Sequence, residues 1–238
     1  MPIVSFLDQD IHTWIADREK PARSPGPHVS SVLVSMLKTA MPEKYAKYGT
    51  AVDGARVPVF ELGYTWEDAL ATALQERLIL APGHLLMQPM ELTTDGIHGT
   101  PDRVIYDRTR DRWIVEELKA TWYSCKGLDA DPGALLENLK FTYWLLQVRT
   151  YAAMLMCHAP AILSRTIWPL TATRYDLTPL TAPPVARIRA LFVNGNYDYK
   201  AQIDQRARPM CWEIEWTPDE LTDWWAAVVR HVATMETP

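Results

Sequence analysis

Cysteine is scarce in this 238-residue chain: Cys125, Cys157 and Cys211 stand far apart, with no C-x-x-C pair. That spacing excludes a disulfide framework, and three thiols fall short of the four ligands an iron–sulfur cluster usually takes. A reduced, intracellular setting follows as the expectation. Positive charge is not in excess either, since 24 Lys and Arg against 29 Asp and Glu give a net charge of -5. A protein that binds mainly by neutralising phosphates is usually basic, so the global charge argues against bulk electrostatic binding of polyanions. It leaves room for a local basic patch beside a carboxylate site.

Long apolar runs are missing as well. The most apolar stretch, Tyr151 to Leu163, is too short for a bilayer and contains His158 and Pro160. The opening residues, MPIVSFLDQD, lack the basic-then-apolar order of a signal peptide. A soluble, cytoplasmic protein without membrane contact is expected. Phenylalanine is rare, at four residues, against ten Trp and ten Tyr. Because Trp and Tyr carry a polar handle, some of them belong on half-buried or binding surfaces. The hydrophobic share of 48% is enough for one sizeable core.

Residues 1–27 read as an arm plus linker ending in EKPARSPGP, and residues 28–238 as one domain. A helix runs from Ser30, its plausible N-cap, to about Leu37, and a second from Thr65 to about Ile79 with Trp66, Ala69, Leu70, Ala73, Leu74 and Leu78 as its apolar stripe. Three strand-like runs follow, Leu86–Leu92, Ile97–Asp107 and Arg112–Trp122, with Asp95-Gly96 as a hairpin turn. A long helix spans roughly Gly133 to His158, ended by Pro160. Thr166–Tyr175 is strand-like, Arg187–Val193 and Tyr197–Gln202 form a hairpin candidate, and Cys211–Trp216 reads as a strand. Thr217-Pro218-Asp219-Glu220 is a capping box that opens a last helix to about Met235. This order predicts an α/β or α+β fold, a mixed central sheet flanked by helices.

Chemistry concentrates on two of the strands. His98-Gly99-Thr100-Pro101-Asp102 lies on one, and Glu116-Glu117-Leu118-Lys119 on the next. Strand side chains alternate faces, so Glu117 and Lys119 share a face, and pairing of the strands brings Asp102 beside Glu117. Two adjacent carboxylates suit a hard cation such as Mg²⁺ or Mn²⁺, with the Leu118 carbonyl as a further ligand. Such an ion polarises a phosphate and activates water, and Lys119 can orient that water or offset developing charge. Trp113 and Val115 on the same face imply that Glu117 and Lys119 are partly buried, which is unfavourable unless they are paired or hold metal.

Pro101-Asp102 followed by Glu117-Leu118-Lys119 resembles the signature of the PD-(D/E)XK nuclease superfamily. Two further features resemble its RecB-like exonuclease branch: an acid in the preceding helix, Glu67, and a Gln-x-x-x-Tyr pair, Gln147 and Tyr151, in the following one. The late hairpin, capping box and Trp-rich last helix resemble small phage-type members. The motif-bearing likeness covers roughly residues 60–155. It implies a restriction-endonuclease-like core and a Mg²⁺- or Mn²⁺-dependent deoxyribonuclease, first of all an exonuclease acting on DNA ends. Asp102, Glu117, the Leu118 carbonyl and Glu67 would hold the ion, Lys119 would assist the attacking water, and Gln147 and Tyr151 would contact the substrate or orient the site. DNA recombination or repair, in a host cytoplasm for a phage protein, is the implied setting, with a homo-oligomer or a recombination protein as partner. No iron–sulfur cluster is expected. The alternatives are a catalytically inactive nuclease-fold protein in DNA binding or assembly, a structure-specific endonuclease, and a hydrolase of small phosphate esters.

Other residues of similar type are weighed against this set. A second (D/E)-x-K match, Asp198-Tyr199-Lys200, lacks both the Pro-Asp strand before it and the Gln-x-x-x-Tyr helix after it. Glu76 competes with Glu67 from a different part of the helix surface. His98 is read as structural, and Trp224-Trp225 as core. Lys126, Lys140 and Arg149 remain candidate phosphate contacts.

Overall fold

A computed structural model describes residues 23–48, 69, 72–73, 84–87, 91–125, 128, 139–163, 182–195 and 207–235. In chain order these give α1 (Val29–Ala40), α2 (Pro42–Tyr48), β1 (His84–Met87), β2 (Leu92–Thr94), β3 (Ile97–Gly99), β4 (Arg103–Asp107), β5 (Arg112–Thr121), α3 (Leu139–Leu163), β6 (Val185–Phe192), β7 (Arg208–Ile214) and α4 (Pro218–Thr234). The architecture is mixed α and β, with helices against a five-stranded sheet of order β1-β4-β5-β6-β7. β5 is central, antiparallel to β4 and parallel to β6, and the long helix α3 lies in the crossover between β5 and β6. Among the described residues no helix is long and apolar enough to cross a membrane.

Several sequence expectations need correction. The three long strand runs do not form one meander. β2 and β3 make a separate two-stranded hairpin, and β1 pairs with β4. The second run breaks at Thr100–Asp102 because Pro101 has no N–H to contribute to a ladder. Its hairpin turn does form at Asp95-Gly96, with both residues at positive φ (51° and 75°), as a type I′ turn requires. Helix α1 begins at Val29 with His28 as N-cap, one residue earlier than Ser30, and the Ser31 hydroxyl closes the box by accepting from the His28 N–H. Residues Pro42–Tyr48, for which the sequence predicts no element, are helical. Pro160 lies inside α3 rather than beyond it, in the last turn, where only one helical hydrogen bond is forfeited before the helix ends. The second strand of the proposed 187–202 hairpin, the 166–175 strand and most of the 65–79 helix lie outside the described residues.

The main core lies between α3 and one sheet face. Val148, Met154 and Phe192 are fully buried in this core, which Leu221 of α4 joins, and α1 and α4 both pack against α3. Removal of each such side chain from water stabilises the fold by roughly 1.5–3 kcal/mol. Tethers fix α4: Thr217 and Glu220 form the expected capping box, the Trp225 indole donates to Asp95 (2.7 Å), and the Trp224 indole donates to Thr150 (3.0 Å). Trp225 is core, as expected, while Trp224 and Trp216 sandwich the Arg149 guanidinium at 5.1 and 5.6 Å. His98 is structural. Its backbone N–H donates to the Pro27 carbonyl, and its ring contacts Thr93 and lies tilted 5.4 Å from that of His28, tying residues 23–28 to the hairpin.

The opposite sheet face is held by charge around a small Ile105, Ile114 and Val185 cluster. Glu116 gathers Arg103, Arg187 and Arg189. At the sheet edge Glu213 takes Arg110 and Arg187, and the Arg110 hydrogen bond is the largest cause pulling its pKa down to about 2.

Candidate active site

Register builds the site. Arg103, the first residue of β4, pairs with Glu116, which brings Asp102, the residue before it, next to the Glu117–Leu118 stretch of β5. Both Asp102 and Glu117 act on the Tyr151 hydroxyl, so the two carboxylates face the same helix. The Leu118 N–H donates to Asp102 Oδ2 at 2.6 Å. A strand residue's N–H and C=O point to the same neighbouring edge, so the Leu118 carbonyl faces the gap beyond β4, where Pro101 has no hydrogen to offer it. The Pro-Asp dipeptide thereby stands at the end of a strand and aims a carboxylate at the Leu118 N–H of the next one.

Glu117 is 2% exposed, and its Oε1 accepts from Lys119 Nζ on the same strand face. Trp113 and Val115 are buried on that face, as the alternation requires. Asp102 is half-buried as a residue. Burial raises its pKa, against the lowering effects of Lys119 and the Leu118 N–H.

Helix α3 covers this face with Lys140, Tyr143, Gln147 and Tyr151, residues three or four apart along one stripe. Gln147 Nε2 donates to the Tyr151 hydroxyl at 3.3 Å. Both are buried, and Gln147 Oε1 has no hydrogen-bond partner among the described residues. Turning the amide over only exchanges which atom is left over. Burial pushes the Tyr151 pKa well up, with the charges of Glu117 and Asp102 adding to it, so the phenol lies in the field of both carboxylates. Lys119 in turn acts on Tyr143 and, after burial, lowers the Lys140 pKa.

Asp102, Glu117, Leu118, Lys119, Gln147 and Tyr151 therefore converge. Glu67 and the Asp198–Lys200 segment lie outside the described residues, as does Lys126. Arg149 is engaged elsewhere, between Trp216 and Trp224. Sequence reasoning missed Tyr143, although its spacing from Gln147 held the signal, and it missed the role of Gly99. A Cβ on Gly99 would stand 2.7 Å from Tyr151 Cε1 and 2.7 Å from Val29 Cγ2, so only glycine lets the phenol pass β3. Gly99→Ala should shift Tyr151 and destabilise the fold by about 1–3 kcal/mol, read by urea denaturation. An unchanged midpoint would mean that the ring has room to move.

A hard cation suits the donor set, which is oxygen only: two carboxylates, a strand carbonyl facing a gap and the amide of Gln147. Among the described residues no group of three or more His, Cys, Asp or Glu gathers to hold a metal. The ion would thus rest on the carboxylate pair and neutral oxygens, unless residues outside the described set complete it.

In comparisons with known proteins, no family model and no curated protein matches the chain. A solved structure titled "Crystal structure of SSO0001" is similar at 12% identity and a TM-score of 0.41, over 96% of this chain and 84% of that one. A likeness at that level assigns no function.

Proposed function

We propose that the chain is a Mg²⁺- or Mn²⁺-dependent deoxyribonuclease with a restriction-endonuclease-like core, acting on DNA ends. One observation carries the reading: half-buried Asp102 is bound to the Leu118 N–H beside buried Glu117, with Lys119 paired to Glu117 and both carboxylates acting on Tyr151. Burial of two carboxylates without a function is unfavourable, and a divalent cation between them would offset it.

When bound, such an ion would polarise the scissile phosphate and lower the pKa of a water. The chain's own residues do the rest. Asp102 and Glu117 fix the ion's position, and the Leu118 N–H keeps the Asp102 carboxylate from rotating away. Lys119 holds the attacking water or steadies negative charge growing on the phosphate. Gln147 and Tyr151 form the wall opposite the strands, excluding water and orienting the substrate. Their position in α3 beside the site matches the RecB-like pattern seen in the sequence, which favours the exonuclease form.

The test is incubation of purified protein with linear and closed circular DNA in Mg²⁺, Mn²⁺ or EDTA. Loss of the linear form alone, only with metal, is expected. Nicking of the circle would replace the exonuclease with an endonuclease. A folded protein that cleaves neither under any metal is a nuclease-fold binding or assembly protein.

A further inference from the structure

Beyond the carboxylates, the site face of β5 continues through Thr121 toward two aromatic residues. Trp122 and Tyr123 are 46% and 42% exposed, the large hydrophobic side chains most open to solvent among the described residues. They are not loosely hung. The Trp122 carbonyl accepts from Asn194 Nδ2 at 2.6 Å, the Thr121 carbonyl from the Val193 N–H at 2.8 Å, and the Gly195 carbonyl from the Cys125 N–H at 2.8 Å. The Tyr123 ring meets buried Phe141 edge-on at 6.1 Å, and Phe141 in turn packs on Trp144 and Phe192. One ring system thus reaches from the core to the surface at Tyr123, with exposed Trp122 next to it in the chain.

Charge borders the same place. Lys140 Nζ lies 5.0 Å from the Tyr123 centroid and 5.7 Å from that of Trp144, and it donates to Thr121 at 3.2 Å. Lys119 is near enough to depress the Lys140 proton affinity, so two cations stand together on a chain whose net charge is -5. Fixed aromatic faces beside clustered lysines are the composition that holds unpaired nucleic acid, with bases stacking on rings and phosphates meeting cations. A duplex keeps its base faces covered and gains only the charge term.

We propose that Trp122, Tyr123 and Lys140 form a stacking platform for an unpaired DNA strand, guiding it along β5 toward Asp102 and Glu117. At the rise of an extended strand Thr121, where β5 ends, lies about 7 Å from Lys119, so the aromatic pair that follows stands within a few nucleotides of the carboxylates. The inference rests on the nucleic-acid reading of the site but not on its catalysis, so its test is run without metal.

Binding of a labelled oligothymidylate and of a blunt duplex is measured by fluorescence anisotropy in EDTA. Trp122→Ala and Tyr123→Ala should each weaken oligothymidylate binding by about 5- to 100-fold, the range for loss of one stacked base. Duplex binding should change little, and Trp122→Phe should restore most of the affinity. Lys140→Ala should reduce the salt slope by about one phosphate contact. Oligothymidylate binding that stays within about two-fold in both alanine variants, with unchanged circular dichroism, would overturn the platform whether or not the protein cleaves DNA. Loss of binding in a protein that cleaves nothing would leave the platform standing and remove only the nuclease.

Discussion

Asp102→Asn is expected to lower metal-dependent DNA cleavage by at least about 10³-fold, roughly 4 kcal/mol of barrier, without lowering the thermal midpoint. The stability half of this result follows from linkage. Burial raises the Asp102 pKa in the folded state. The fold therefore holds that proton more tightly than the unfolded chain, and stability is lost as pH rises from the unfolded pKa through the folded one. At neutral pH the charged carboxylate works against folding. Asparagine keeps an oxygen for the Leu118 N–H and removes the charge, so the midpoint should stay or rise. Lys119→Ala should also abolish cleavage, because the cation beside Glu117 is lost. A midpoint that falls by more than about 5 °C in Asp102→Asn would make the residue structural, and full activity in Lys119→Ala would remove its assigned role.

Glu116→Ala should have the opposite signature, a large loss of stability of about 3–5 kcal/mol through a buried charge left unpaired. Glu116 is 1% exposed, and three guanidinium groups converge on it: Arg103 at 3.4 Å, Arg189 at 3.1 Å and Arg187 at 3.5 Å. Arg103 is itself 3% exposed, and burial already lowers its pKa. Removal of the shared carboxylate confines these charges with far less compensation. Pairing Glu116→Ala with Arg103→Met should recover part of the loss, because the deepest cation goes with its partner. Equal stability of Glu116→Ala and the parent in urea denaturation would show that water or neighbouring groups compensate the arginines.

The contrast between two consecutive glutamates separates what the chain encodes locally from what it does not. Strand alternation places Glu116 and Glu117 on opposite faces, and this is legible from period two alone. Their equal burial is not legible. Arg187 and Arg189, the partners of Glu116, lie some seventy residues away and arrive only because β6 pairs in parallel with β5. The turn at Asp95-Gly96 and the cap at Thr217–Glu220 were readable, since each depends on the φ or hydrogen-bonding habit of the residues within it. The break at Pro101 was misread as part of a continuous strand. Its effect depends on which residue faces it, and register is a tertiary fact.

The same division holds for the trio of Asp102, Glu117 and Lys119. By itself the sequence determined that Glu117 and Lys119 share a face, that a Pro-Asp strand precedes them, and that Gln147 and Tyr151 lie one helical turn apart on a later helix. Only the tertiary structure decided that the Asp102 carboxylate takes the Leu118 N–H, and that Gly99 leaves room for Tyr151 to approach both carboxylates. Periodicity fixes where a side chain points within its own element. Which elements meet, and how deeply a charge is buried between them, depends on contacts distant in sequence that no local pattern carries.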